Sequence, residues 1–193
     1  GIVLLIIGLM ALKIKKLRLI LLGIGLIFLG MEFLSETFVL AQDKSFFYTI
    51  LNIAHQSTLQ ALVIGIITTG LIQSSSAMTG IIIVLAKMEQ INLITAIAII
   101  LGSNIGTCFT ALIVSLTSSK NGKRVAWAHI FINIIGVIII FPFIKPYAYF
   151  IGLSSSSFPR QIAHAQTIFN ILNSLIILPF THSLAKLIYR LFP

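Results

Sequence analysis

The sequence predicts an all-α membrane protein, a polytopic helical bundle with a re-entrant hairpin and a broken helix. Three observations predict it. Hydrophobic residues make up 58% of the 193 residues and charged residues only 9%, against about 25% charged in a soluble domain. Long apolar runs recur along the chain, and the mean hydropathy is +1.11. Two of these runs are interrupted in the middle by polar residues: Gln73-Ser74-Ser75-Ser76 with Thr79, and Gly102-Ser103-Asn104-Ile105-Gly106-Thr107. Polar groups at that depth are costly in hydrocarbon unless protein surrounds them or they line a water-filled cavity.

Taken in order, Gly1–Leu12 is too short for the roughly 20 residues a span needs, and reads as the tail of a truncated helix. It lacks the basic leader and small-residue cleavage site of a signal peptide, so the chain is expected to be part of a longer protein. A basic loop follows, Lys13 to Arg18. Leu19–Leu40 is a full span whose Gly23, Gly25 and Gly30 favour close helix approach. Glu32 and Glu36, four apart, share one face of it. A polar loop is expected from Ala41 to about Gln56, with Phe46, Phe47 and Tyr48 suited to the membrane interface.

Ser57–Lys87 is too long for one span and too short for two with a loop. It reads as a re-entrant hairpin: a half-helix over Thr58–Ile72, a turn at Gln73–Ser76 and a return over Ala77–Lys87. Asn92–Leu116 is a span whose Gly102–Thr107 stretch favours unwound backbone. Val125–Ile144, ended by Pro142 and Pro146, and Gln161–Phe180 are two further spans. The whole is read as one transmembrane domain over 1–193, in four parts: 1–18, 19–56, 57–117 and 118–193. A local echo links Ala128–Ile135 to Ala165–Leu172, each with an Asn in an apolar helix.

The net charge of +9 lies in short clusters between apolar runs, which points to loops on the cytoplasmic side and not to nucleic acid. With the hairpin, Lys13, Lys15, Lys16, Arg18, Lys120, Lys123, Arg124, Lys186 and Arg190 share one side, against Lys44, Lys87, Lys145 and Arg160 on the other. A single crossing would level that bias, so the charges favour the hairpin and a cytoplasmic tail.

The single Cys108 excludes an internal disulfide, and His55, His164 and His182 lack metal-ligand spacing. His129 reads as structural and Trp127 as an interface anchor. Gln73 to Ser76 offer three hydroxyls and an amide, and a half-helix starting near Ser75 would aim its positive end at an anion. Hydroxyl and carbonyl oxygens also suit Na⁺, with Asn104 and Thr107 as the second polar element of the cavity. No acid lies in the hairpin or the broken helix, which favours cotransport over proton pumping.

These motifs carry a resemblance. Gln73-Ser74-Ser75-Ser76-Ala77, followed by Gly102-Ser103-Asn104-Ile105-Gly106-Thr107-Cys108, resembles the sodium/phosphate cotransporter family, the type II symporters and their bacterial relatives. Lys123-Arg124, Ala126, Ala128-His129, Asn133, Gly136 and Phe169-Asn170 through Leu178-Pro179-Phe180 continue it, and Gly25–Met31 precedes it. Ile132 and Gln166 stand where relatives more often have Phe and His.

The resemblance implies the C-terminal repeat of an inverted-repeat secondary active transporter. Substrate binding would fall to Gln73, Ser74, Ser75, Ser76, Thr79, Asn104 and Thr107. Sodium would be held among Gln73, Ser75, Ser76, Asn104 and Thr107. It implies sodium-coupled phosphate symport by alternating access, sodium as coupling ion with no other cofactor, and no enzymatic activity. Its partners would be phosphate, sodium, the lipid bilayer and either the missing first repeat or a second copy. Its place would be a cell membrane, multi-pass, as in a bacterial inner membrane. A transporter or channel for another anion or polar solute, and a non-transporting membrane scaffold, are the alternative readings.

Overall fold

The computed structural model describes residues 2–3, 6–7, 15–41 and 45–192, and no strand occurs among them. Most of the Gly1–Leu12 segment, with Lys13, Asp43 and Lys44, lies outside the described residues. The chain divides into two compact units, 1–48 and 49–193. The first holds helix α1 (Lys15–Ala41), on which Glu32 and Glu36 are both exposed. The loop expected over residues 41–56 is not what forms: Ser45–Gln56 is helix α2. Its apolar Ile50, Leu51 and Ala54 recur at helical spacing, and Leu51 and Ala54 are buried.

The second unit continues with α3 (Thr58–Ile72), α4 (Ser75–Lys87), α5 (Leu93–Gly106) and α6 (Cys108–Leu116). Then follow α7 (Lys120–Ile140), a 3₁₀ turn (Phe141–Phe143), α8 (Ile144–Gly152), α9 (Phe158–Ile177), a second 3₁₀ turn (Leu178–Phe180) and α10 (Thr181–Leu191). Side-chain caps set several starts. Ser57 Oγ accepts from Leu59 N–H at 3.2 Å, Asn92 Oδ1 from Thr95 N–H at 2.9 Å, and Ser119 Oγ from Gly122 N–H at 3.3 Å. The spans expected to stop near Pro142 and Phe180 tighten instead into 3₁₀ turns at Pro142 and Pro179 and run on as α8 and α10. A proline removes one N–H and clashes with the preceding turn, but it need not end the helical path. Pro142 follows Asn133 by nine residues, as Pro179 follows Asn170, so the echo extends into matching kinks.

Among the described residues, four helical stretches are long and apolar enough to cross a membrane: Lys16–Leu34, Leu93–Leu116, Lys120–Gly152 and Phe158–Leu191. Apolar side chains cover the outside, with Leu71 80% and Leu116 72% exposed, which suits lipid as the solvent. The most intimate packing joins α3 to α5. A Cβ added at Gly65 would strike the carbonyl of Ile99, and one at Gly102 the carbonyl of Leu62. At Gly106 it would lie 2.7 Å from both Ile66 O and the Thr69 Cβ. These glycines let two backbones touch where lipid supplies no hydrophobic drive for helices to associate. The paired positions advance together, so α3 and α5 run parallel, and α4 returns between them in sequence. The starts are tied as well. Asn92 Nδ2 donates to His55 Nδ1 at 3.2 Å, and His55 Nε2 donates to Gln90 O at 3.1 Å.

Candidate functional site

The turn between α3 and α4 is tighter than expected, only Gln73 and Ser74. Gln73 closes α3 in the left-handed region, φ 59° and ψ 24°, with its N–H donating to Thr69 O at 2.6 Å. Glycine is the usual residue for such a cap, and a side chain there costs roughly 1–2 kcal/mol. Gln73 therefore holds a strained position that puts an exposed amide at the tip.

Ser74 caps α4, its Oγ accepting from Ala77 N–H at 3.2 Å and its carbonyl accepting from Met78 N–H at 3.1 Å. The Ser74 hydroxyl keeps its own hydrogen to donate. The backbone N–H groups and hydroxyls of Ser75 and Ser76 have no hydrogen-bond partner among the described residues. Two open N–H groups, three hydroxyl donors and the positive end of a 13-residue helix make an anion-attracting tip. Electrostatics agree: within 49–192 the sole carboxylate side chain is Glu89, against eight lysines and arginines. Thr79, one turn deeper and buried, spends its hydroxyl on Ser75 O at 2.8 Å, so it braces the tip from inside α4.

The second polar stretch is organised otherwise. Residues 102–106 are helical, not unwound, and the only interruption is Thr107 between α5 and α6. Ser103 Oγ donates to Ile100 O at 2.7 Å and Thr107 Oγ1 to Asn104 O at 2.8 Å. Asn104 is buried and forms a reciprocal amide pair with Gln166 of α9. Its Nδ2 donates to Gln166 Oε1 at 3.2 Å and to Ile100 O at 2.8 Å, and Gln166 Nε2 donates to Asn104 Oδ1 at 3.3 Å.

The end of the second stretch lies beside the last turn of α3, just before the first. Gly106 lies on Ile66, Thr69 and Gly70, and Gly70 faces the Phe109 ring at 3.2 Å from its would-be Cβ. The last turn of α3, which carries Gln73, thus rests on the Thr107 junction, and α9 packs against both α4 and α5. The side chain of Asn104 is engaged with α9. The sequence reading missed Gln166 as a member of this cluster. Its signal was the echo with Ala128–Ile135, in which Gln166 matches the polar His129. It also missed Thr69, whose fully buried Oγ1 has no hydrogen-bond partner beside Gly106.

A family model described as Na+/Pi-cotransporter matches residues 40–159, well over half of the chain and inclusive of every candidate residue from Gln73 to Thr107. This chain belongs to the Na+/Pi-cotransporter family.

The family is one of transporters and not of enzymes, as the sequence led one to expect. It is 33% identical over 131 residues to the uncharacterized protein YqeW of Bacillus subtilis, which covers 68% of this chain and 43% of that protein. It is 34% identical over 120 residues to sodium-dependent phosphate transport protein 2B of Homo sapiens, 58% of this chain and 17% of that one. With sodium-dependent phosphate transport protein 2C of Rattus norvegicus it shares 40% identity over 83 residues, 41% and 14% of the two chains. The chain thus spans less than half the length of these relatives. No solved structure matches it.

Proposed function

We propose that this chain supplies one repeat of a sodium-coupled symporter of inorganic phosphate in a cell membrane, a bacterial inner membrane. The observation that carries the reading is the tip at Gln73–Ser76, where open N–H groups and hydroxyls crown the start of α4. Phosphate docks on the N–H groups and hydroxyls of Ser75 and Ser76 and on the Ser74 O–H, with Gln73 beside them and Thr79 holding the first turn of α4 in shape. Sodium takes oxygens from Gln73, Ser75, Ser76, Asn104 and Thr107 and neutralises the anion without a carboxylate. The α3–α4 hairpin is re-entrant, so the tip lies within the bilayer where protein surrounds its irregular backbone.

Movement of this repeat against an inverted partner, a first repeat or a second copy, exposes the site to each side in turn. The names of the mammalian relatives, sodium-dependent phosphate transport proteins, support this substrate and coupling ion. The test is uptake of labelled phosphate into proteoliposomes holding the protein, with and without an inward sodium gradient. Uptake is expected to need sodium, and to fall at least about ten-fold in Ser75→Ala, the loss of about 1.4 kcal/mol of anion binding. Phosphate uptake indifferent to sodium would remove the coupling ion, and absent uptake would favour a carrier or channel for another solute. A Ser75→Ala protein with full uptake would remove the tip from the mechanism.

A further inference from the structure

Helix α10 and the first turns of α7 form a second built region, away from the tip. Leu184, Leu187, Ile188 and Leu191 recur at helical spacing along α10, and Lys186 and Arg190 fall four apart on another face. Such a helix suits a membrane interface. It is clasped to α7. Arg124 Nε donates to Phe192 O at 2.8 Å, the Arg124 guanidinium lies 4.3 Å over the Tyr189 ring, and Trp127 stacks on Phe192 at 5.0 Å.

Between the two helices is a cavity of about 270 Å³ lined by Arg124, Val125, Ala128, Leu184, Ile188 and Tyr189. Its walls are mostly apolar, with Asn121, Thr181 and a guanidinium set in them. Arg124 uses two of its N–H groups, on Phe192 O and on Asn121 Oδ1 at 2.8 Å, and the others have no partner among the described residues. Lys120, Lys123, Arg124, Lys186 and Arg190 all sit on α7 and α10, and neither helix carries an Asp or Glu.

We propose that this cavity binds an anionic phospholipid, with one acyl chain between α7 and α10 and the phosphate on Arg124. The apolar walls call for a hydrocarbon chain, which inorganic phosphate lacks. The Arg124 guanidinium, set between two helices that carry five basic residues and no acid, calls for a net negative headgroup, since the cation of a zwitterionic one would be repelled there.

Trp127, the sole tryptophan of the chain, sits in the clasp and reports on the site. The experiment places the 193-residue chain in phosphatidylcholine nanodiscs containing increasing amounts of brominated phosphatidylglycerol or brominated phosphatidylcholine, and follows quenching of Trp127 fluorescence. Phosphatidylglycerol is expected to reach half-maximal quenching at an about five-fold lower mole fraction. Arg124→Gln should erase that preference. So should Ala128→Leu, which fills the cavity and leaves every charge in place. Equal quenching by the two lipids would overturn the proposal. A preference that survives Ala128→Leu would reduce it to surface attraction. Relief of quenching by millimolar inorganic phosphate would give the site to the free anion.

Discussion

Two polar stretches interrupt the apolar helices and treat their backbones in opposite ways. At residues 73–76 the chain bends through a left-handed glutamine and leaves the Ser75 and Ser76 N–H groups open. At residues 102–106 the helix continues, Ser103 and Asn104 bond to a carbonyl of their own helix, and the glycines press against α3. Polarity inside an apolar chain therefore serves two ends. One is to leave donors open, the other to let backbones meet and lock side chains in place. Unspent hydrogen-bond capacity tells them apart.

Substitutions should separate the two. The largest effect is expected from Gly102→Leu, whose side chain would start on the Leu62 carbonyl; overpacking a backbone seam costs about 3 kcal/mol or more. Size-exclusion chromatography should show little monodisperse protein, and a well-folded variant would mean that α3 and α5 do not need the seam. Next comes Gln166→Leu, which strands the buried Asn104 amide at a cost of about 1–3 kcal/mol. Denaturation in detergent should register it, and unchanged stability would dissolve the amide pair.

Gln73→Gly tests the other stretch. Relief of the left-handed strain should raise stability by up to about 1 kcal/mol while phosphate uptake falls. Changes of the same sign would argue that Gln73 serves the fold alone. Ser103→Ala is the mildest, about 0.6 kcal/mol for a hydroxyl bonded within its own helix, with uptake as in the parent protein. Lost uptake there would add Ser103 to the proposed sodium oxygens of Asn104 and Thr107.

Much of the tip could be read from residue types. A run of Gln and three Ser between apolar helices has few uses, and Ser74 caps α4 as its side chain allows. What escaped were features that composition leaves ambiguous. Gly102 and Gly106 suggested unwinding, because glycine serves both where φ must be positive and where a Cβ must be absent. Among the described residues no glycine has positive φ, and the two residues that do are Gln73 and Glu89. Helix α2 was hidden by its aromatics, which suit an interfacial loop equally well, although Leu51 and Ala54 keep helical spacing. Pro142 suggested a stop, because a proline looks the same at a helix end and in a 3₁₀ bend. The Asn104–Gln166 pair spans two distant segments, and only tertiary packing brings them together.

The glycine seam also acts as a key. One residue of slip along α5 is about 1.5 Å, and it would drive Ser103 or Ile105 into the α3 backbone where Gly102 or Gly106 now fits. The seam therefore resists small slips of α3 along α5. A displacement of the last turn of α3 is then expected to carry the Gly106–Thr107 end of α5 with it.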